Sequence, residues 1–374
     1  MLLYLLIIAL FSLLAFGDVF RLIPEKFYPS IWILCFCLLI FHDGFRWETG
    51  TDWVNYSYFF ENCLDIEDSD FEVGYTILNV LIRLLTSEYT VFLVIYSIAL
   101  YFLISLAISS YAINPFLSLF FYYCTSLPLL GMNRQFIGLG LCLLSIKYIA
   151  SRKPLLFCLF VGMASLFHLS ALMFGMAYFL NKPHSSKFYL ILLLFALGIA
   201  LSGILTKLPL NYFALLGGDV THKLQYYADD FLSGNVYINP IFVFLSLSKR
   251  LIWIVLILLF VYNAKKEDTT FVLFFNMYFF ALLLYIVLNN TILQIFVSRG
   301  LLYYNIAEIF IIPYALLAFK MNYGKVFVFL MLFLYGITNL KKGLDSYAPP
   351  GGSTDLFIPY KGVFINTDYN RKDH

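Results

Sequence analysis

Charge is scarce in this chain. Asp, Glu, Lys and Arg make up only 12% of the 374 residues against 62% hydrophobic ones, far from the mixture that keeps a globular surface in water. That scarcity excludes an ordinary soluble protein, and no window of fifty residues has the composition of a separate soluble domain. Cysteine is sparse too. Cys35, Cys37, Cys124, Cys142 and Cys158 lie in apolar runs and only Cys63 in a polar loop, so neither a disulfide framework nor a metal site is expected. The five histidines are scattered without ligand spacing. No basic patch exists to hold nucleic acid, because the basic residues are spread over short loops. No Lys or Arg precedes the apolar run at 2–17, and Asp18 after it is a poor cleavage context, so this run is expected to be a first span and not a signal peptide.

What is present is a succession of apolar runs of membrane-spanning length. The expected fold is all-α: a polytopic integral membrane protein with about 11–12 transmembrane helices plus one interfacial or half-inserted helix. Residues 1–340 are expected to form a single membrane domain and 341–374 a polar C-terminal tail.

The loops suggest an orientation. Lys and Arg gather near 21–26, 147–153, 182–187, 265–266 and 320–325, which marks these turns as cytoplasmic. Segment 43–72 carries nine acidic residues against Arg46 alone, and segment 209–238 has only Lys223; both are expected outside. Four apolar runs then lie between an outer loop and an inner one, where an odd number must cross. The shortest, GYTILNVLIRLLTS, places Asn79 and Arg83 on one helix face and is expected to stay at the outer interface. By the same parity the run 154–180 should turn back at Phe167-His168. The side of the tail after Leu340 stays open, since Lys341 and Lys342 argue against the external position that the span count requires.

Ionisable residues at membrane depth are costly unless they face a partner or a cavity. By this topology Arg46 and Asp52 follow the second span, Arg134 opens the span after GMNRQF, His168 marks the break in FHLSAL, and Arg299 opens the span in SRGLLYYNIAEIF. All fall on one side, and Lys249 and Arg250 add cations from deeper. Each taken singly has a plainer reading, an arginine snorkelling to lipid phosphate or a histidine at a kink. Jointly, several guanidinium groups at one interface suit a lipid-linked diphosphate, whose oxygens Arg grips through paired donors.

The strings RWETGTDWVNYSYFF, FEVGYTILNVLI, NRQFIGLGLCLLSIKYI, FHLSAL and SRGLLYYNIAEIFIIPY, in that order over about residues 40–320, resemble the EpsG-like branch of Wzy-type polysaccharide polymerases. The resemblance implies a glycosyltransferase of the bacterial inner membrane. It would join undecaprenyl-diphosphate-linked repeat units into O-antigen, capsule or exopolysaccharide, with its site facing the periplasm or exterior. The positions it carries over are Arg46, Asp52, Arg134, His168 and Arg299. Substrate binding is expected of Arg46, Arg134, Arg299, Arg250, Lys249 and Tyr303. Asp52, Glu48 and His168 are the candidates for the base, with Asp52 first because an ion pair to Arg46 would hold it. No cofactor or metal is expected. The expected partners are the lipid-linked glycan, the bilayer and a protein that regulates chain length. Two alternatives remain: another lipid-linked glycan transferase such as an O-antigen ligase, or a flippase. The chain's two halves lack the self-similarity common in transporters.

Overall fold

A computed structural model describes residues 2–65, 71–207, 240–289, 291, 293–294, 296–345 and 356–368. The expected outer loop 209–238 lies outside the described residues, as do Glu67, Asp68 and Asp70. The helices are α1 (Leu2–Val19), α2 (Tyr28–Gly44), α3 (Trp53–Asn62), α4 (Val73–Arg83), α5 (Tyr89–Tyr111) and α6 (Pro115–Ser126). There follow α7 (Asn133–Ala150), α8 (Pro154–Ser165), α9 (Ser186–Ser202), α10 (Pro240–Phe260), α11 (Thr269–Leu288) and α12 (Asn322–Asp345). The protein is an all-α polytopic membrane protein, with no strand among the described residues. Among the described residues five helical stretches are long and apolar enough to cross a bilayer, namely α1, Glu25–Gly44, α5, α11 and α12. Shorter apolar helices of 10–17 residues accompany them.

Local chemistry sets where the helices begin and end. Proline stands in the first turn of α2, α6 and α8, where its missing N–H has no intrahelical partner to lose. Asp268 accepts from the N–H groups of Thr270 and Phe271 at the start of α11. Within an apolar medium every backbone polar group must be satisfied internally, and α6 uses a remote acceptor: Asp18 Oδ2 takes the Phe116 N–H at 3.0 Å from 98 residues away.

The chain divides into two compact units, residues 1–172 with 319–374, and residues 173–318. In the first, contacts assign the helix ends. Asp18, Tyr28 and Phe116 meet at one end, the end that carries Arg21 and Lys26. At the other, Tyr4 and Tyr360 pack on His42, Arg46 reaches Asn133, and Gly343 lies against Pro128. Both ends of α4 stay at this second end. Gly74 N–H donates to the Leu166 carbonyl at 2.8 Å, and Arg83 Nε donates to the Glu61 carbonyl at 3.4 Å. Thus α5, α6 and α7 each run between the two ends of this unit, while α4 begins and ends at one of them. Its Asn79 and Arg83, four residues apart, part company in depth: Asn79 is buried and bonded to the Tyr75 carbonyl, and Val73, Ile77, Leu81, Leu84 and Leu85 form an exposed apolar stripe. Such a stripe has the composition that an interfacial helix would turn to lipid. At Phe167-His168 the helix breaks: α8 stops at Ser165 and a 3-10 segment, Leu169–Phe179, begins.

In the second unit α9 and α11 run parallel, with α10 antiparallel to them. Tyr189 donates to Asn276 Oδ1 at 2.6 Å and touches the Tyr262 hydroxyl at 2.9 Å, while Asn276 donates to the carbonyls of Leu180 and Lys182. This buried knot ties the loop at 180–184 to α11. Polar groups held this way specify one packing arrangement among apolar helices.

Candidate functional site

The end of the first unit that carries the acidic segment is built on two glycines. Gly50 and Gly131 adopt φ of 108° and 105°, a region closed to most residues with a Cβ. A Cβ on Gly50 would meet the Leu130 carbonyl, and one on Gly131 the Thr51 nitrogen. The two loops therefore touch main chain to main chain, sealed by the Thr51 N–H on the Leu130 carbonyl at 2.9 Å. The contact brings Asp52, which opens α3, towards Arg134, which opens α7.

Arg134 is held on three sides. Its Nη1 donates to Glu72 Oε2 at 2.5 Å and its Nε to the Tyr56 hydroxyl at 3.2 Å. The guanidinium lies 4.4 Å from the Phe71 ring centroid, a favourable cation–π distance. Nη2 keeps no acceptor among the described residues. The pair is half-open, Arg134 being 20% and Glu72 22% exposed. Glu72 Oε1 accepts the Leu169 N–H at 3.1 Å, so one carboxylate clamps the arginine and the first N–H after the broken helix. Burial raises the Glu72 carboxyl, but Arg134, the Leu169 N–H and the nearby His168 outweigh it and hold the group below its usual range. Burial likewise raises the Tyr56 phenol; Arg134 opposes the rise and the Asp52 charge adds to it, which places Asp52 within electrostatic reach of Tyr56.

His168 stands at the break beside this clamp. Its Nδ1 lies 2.6 Å from Ser170 Oγ and 3.3 Å from the Ser170 backbone N–H. A backbone N–H can only donate, so Nδ1 is the acceptor in this geometry, and Nε2 is the ring nitrogen left to carry a proton. Gln135 Nε2 donates to the same Ser170 Oγ at 3.4 Å. Four segments, around residues 52–56, 72, 134–135 and 168–170, thus converge.

Arg46 behaves otherwise. It is 0% exposed, its Nη1 pairs with Asp43, and its Nη2 donates to Asn133 Oδ1 at 2.8 Å. The expected ion pair with Asp52 is not the one formed; Asp43, one helical turn back, is nearer and buried with it. Glu48 pairs with Lys361 Nζ at 3.1 Å. That lysine belongs to the tail, whose residues 356–368 fold onto the polar segment. Trp47 N–H donates to the Lys361 carbonyl and Val363 N–H to the Phe45 carbonyl, and the Tyr360 hydroxyl donates to the His42 carbonyl at 2.6 Å.

Arg299, Tyr303, Lys249 and Arg250 belong to the second unit. Arg299 lies in a π-helical turn, Phe296–Gly300, Tyr303 is fully buried, and Arg250 stacks on Tyr285 at 4.7 Å.

Glu72 escaped the sequence reading because it is one of nine acids in segment 43–72. The signal that could have separated it is its place immediately before α4, inside the string FEVGY. Among the described residues no group of His, Cys, Asp and Glu has the spacing to hold a metal.

Residues 30–361 match the EpsG family. No curated protein matches the chain, and no solved structure does. A match over this much of the sequence means that the chain belongs to the EpsG family, which is associated with glycosyl transfer in polysaccharide biosynthesis.

Proposed function

We propose that this EpsG-family membrane protein polymerises lipid-linked oligosaccharide repeat units at the outer face of the bacterial cytoplasmic membrane. An acceptor sugar hydroxyl attacks the anomeric carbon of a donor, the bond from that carbon to the diphosphate oxygen breaks, and undecaprenyl diphosphate leaves. The observation that carries this reading is Arg134: a half-open guanidinium, fixed by Glu72, Tyr56 and Phe71, with Nη2 still to be engaged. A fixed donor aimed at developing charge stabilises a departing diphosphate without reorganisation in the transition state.

Asp52 is the base in this reading. Placed at the mouth of α3 within reach of Tyr56, its carboxylate takes the acceptor's proton as the new bond forms. His168 serves differently, since Nε2 is the ring nitrogen left to carry a proton: it donates a hydrogen bond to a phosphate or sugar oxygen. Glu48, tied to Lys361, and Arg46, tied to Asp43, support the walls. Glu72 positions Arg134 and the start of the segment after His168.

Purified protein given lipid-linked repeat units alone, in detergent and without nucleotide sugar, is expected to lengthen the glycan and release polyprenyl diphosphate, because the donor already stores the free energy. Asp52→Asn should bind donor normally and turn over about 100- to 10,000-fold more slowly. No lengthening by wild-type protein would reject polymerisation. Transfer to a separate acceptor lipid without chain growth would indicate a ligase, and activity only across a sealed membrane a flippase.

A further inference from the structure

Residues 45–51 join α2 to α3 and deliver Asp52, the base of the proposed reaction. They belong to no helix, so main-chain groups along the segment must find partners elsewhere. The C-terminal tail supplies several. Val363 N–H donates to the Phe45 carbonyl at 2.9 Å, Trp47 N–H to the Lys361 carbonyl at 3.0 Å and Gly50 N–H to the Leu356 carbonyl at 2.9 Å. The Thr49 hydroxyl, 1% exposed, accepts the Lys361 N–H at 3.0 Å and has the Lys361 carbonyl at 3.0 Å and the Trp47 carbonyl at 3.2 Å as acceptors for its own proton. These ties use the main chain of Lys361 and not its ammonium.

Two residues of the segment have positive φ, Glu48 at 49° and Gly50 at 108°. A left-handed glutamate is disfavoured by itself and persists where its surroundings fix it. Here the fixing groups flank it, since Trp47 before it and Thr49 after it are both bonded to Lys361. The tail is held in turn by two helices. The Tyr4 hydroxyl of α1 donates to the Phe357 carbonyl at 2.7 Å and the Tyr360 hydroxyl to the His42 carbonyl of α2 at 2.6 Å, and Phe357 and Tyr360 are themselves buried. On the other side the Thr51 N–H meets the Leu130 carbonyl. Asp52 therefore follows a main chain pinned from two directions, by the tail and by the loop before α7.

We propose that residues 356–363 position the base: Thr49 and the Lys361 main chain fix the left-handed turn at Glu48, and through it the direction in which Asp52 leaves the segment towards Tyr56. The role of Asp52 comes from the glycosyl-transfer reading, on which this proposal rests; what is added is Thr49 as a positioning residue and the tail as part of the site's framework. A reacting group has to be held by its supporting residues to within a fraction of an ångström. Arg134 is held by Glu72, Tyr56 and Phe71 and not by the tail, so loosening the tail separates proton transfer from donor binding.

Full-length purified protein in detergent serves for two measurements. Hydrogen exchange over residues 45–52 follows the bracing without reference to activity. The segment should be protected in wild-type protein, and Thr49→Val, which keeps the shape and loses the hydroxyl, should speed its exchange about tenfold while α7 stays unchanged. Chain growth on lipid-linked repeat units follows the positioning. Thr49→Val should lower kcat about 10- to 100-fold and leave the KM for donor near wild type, and Thr49→Ser should restore most of kcat. Gly362→Ala, whose added Cβ would meet the Phe45 carbonyl at 2.8 Å, should show the same split and decides if Thr49→Val does not fold. Fast exchange of 45–52 in wild-type protein would overturn the bracing. Wild-type kcat in a variant whose segment exchanges faster would overturn the positioning, as would a loss in Thr49→Val that Thr49→Ser does not restore. Wild-type protein that transfers no sugar to any acceptor would instead reject the glycosyl-transfer reading and the base with it, while the exchange data still decide whether the tail braces the segment.

Discussion

Two arginines lie at the same end of the first unit, within reach of neighbouring residues of α7, and they do opposite things. Arg46 is sealed at 0% exposure between Asp43 and Asn133. Arg134 is 20% exposed and held from behind by Glu72, Tyr56 and Phe71. Both follow apolar runs and both would be read from sequence as interfacial cations. The difference lies in the partners: a carboxylate one turn away closes the first arginine on its own helix end, whereas the second is clamped by groups 62 and 78 residues distant and stays half-open. The two arginines are thus separated by exposure and by the reach of their partners, not by how many donors are used, since Arg46 Nε is itself buried without a partner among the described residues.

The sharpest way to break that contrast is Arg46→Ala. It leaves Asp43 ionised and unpaired in a buried site, a loss of about 3–5 kcal/mol, and the expected outcome is protein missing from the membrane on immunoblots. Arg46→Lys should rescue little, because a single ammonium cannot span both Asp43 and Asn133. Normal levels of a folded Arg46→Ala protein would place Arg46 among the ligand-binding residues instead.

Arg134→Ala should do the reverse. Protein level and unfolding temperature change little, while chain growth drops about 100- to 1,000-fold, the usual effect of removing a donor to developing charge. Arg134→Lys should recover part of that loss. Full activity in the lysine variant would make Arg134 an interfacial anchor and remove the main support for a diphosphate clamp.

Glu72→Gln tests whether the clamp matters more than the charge. The guanidinium stays but is less well held, so a loss of roughly tenfold is expected. Its pH signature is separate. The folded carboxyl lies below its ordinary value of 4.5, so the stability it contributes is fully present above that value and disappears as pH falls through the depressed one. Unfolding midpoints of wild-type protein in detergent should therefore hold from neutrality to about pH 5 and then drop, and part of that drop should vanish in Glu72→Gln. Identical profiles would mean that the Arg134 pair contributes nothing to the folded state.

Much of this arrangement is legible in the residues and some is not. That α4 begins and ends at one end of its unit agrees with a run too short to span, and the break at Phe167-His168 falls where the sequence puts the turn of the run 154–180. The pairing of Arg46 with Asp43 was available from their spacing of three residues but lost to the more polar-looking Asp52. The Arg134–Glu72 clamp had no local signal at all, because it joins two helix starts that only the Gly50–Gly131 contact brings together. Nor was the docking of residues 356–368 legible. Their composition is that of a loose polar tail, and what holds them is main-chain bonding to the segment around Trp47 together with the rings of Tyr360, His42 and Tyr4.

That tail supplies the smallest expected effect. Lys361 and Glu48 form an ion pair at 3.1 Å with side chains 23% and 12% exposed, and a pair so near water contributes at most about 1 kcal/mol after screening and side-chain entropy. The other ties at the same place survive its loss: Lys361 gives its carbonyl to Trp47 and its N–H to Thr49 Oγ1, neither of which depends on the ammonium. Lys361→Ala is therefore expected to lower the unfolding temperature slightly and to leave chain growth within about twofold, with the residual effect shrinking further in high salt. Tyr360→Ala, by contrast, removes the ring stacked on His42 and the hydroxyl on its carbonyl, and should cost more than the charge does. A larger loss in Lys361→Ala than in Tyr360→Ala would show that the ion pair to Glu48, and not the ring and main-chain contacts, holds the tail on the polar segment.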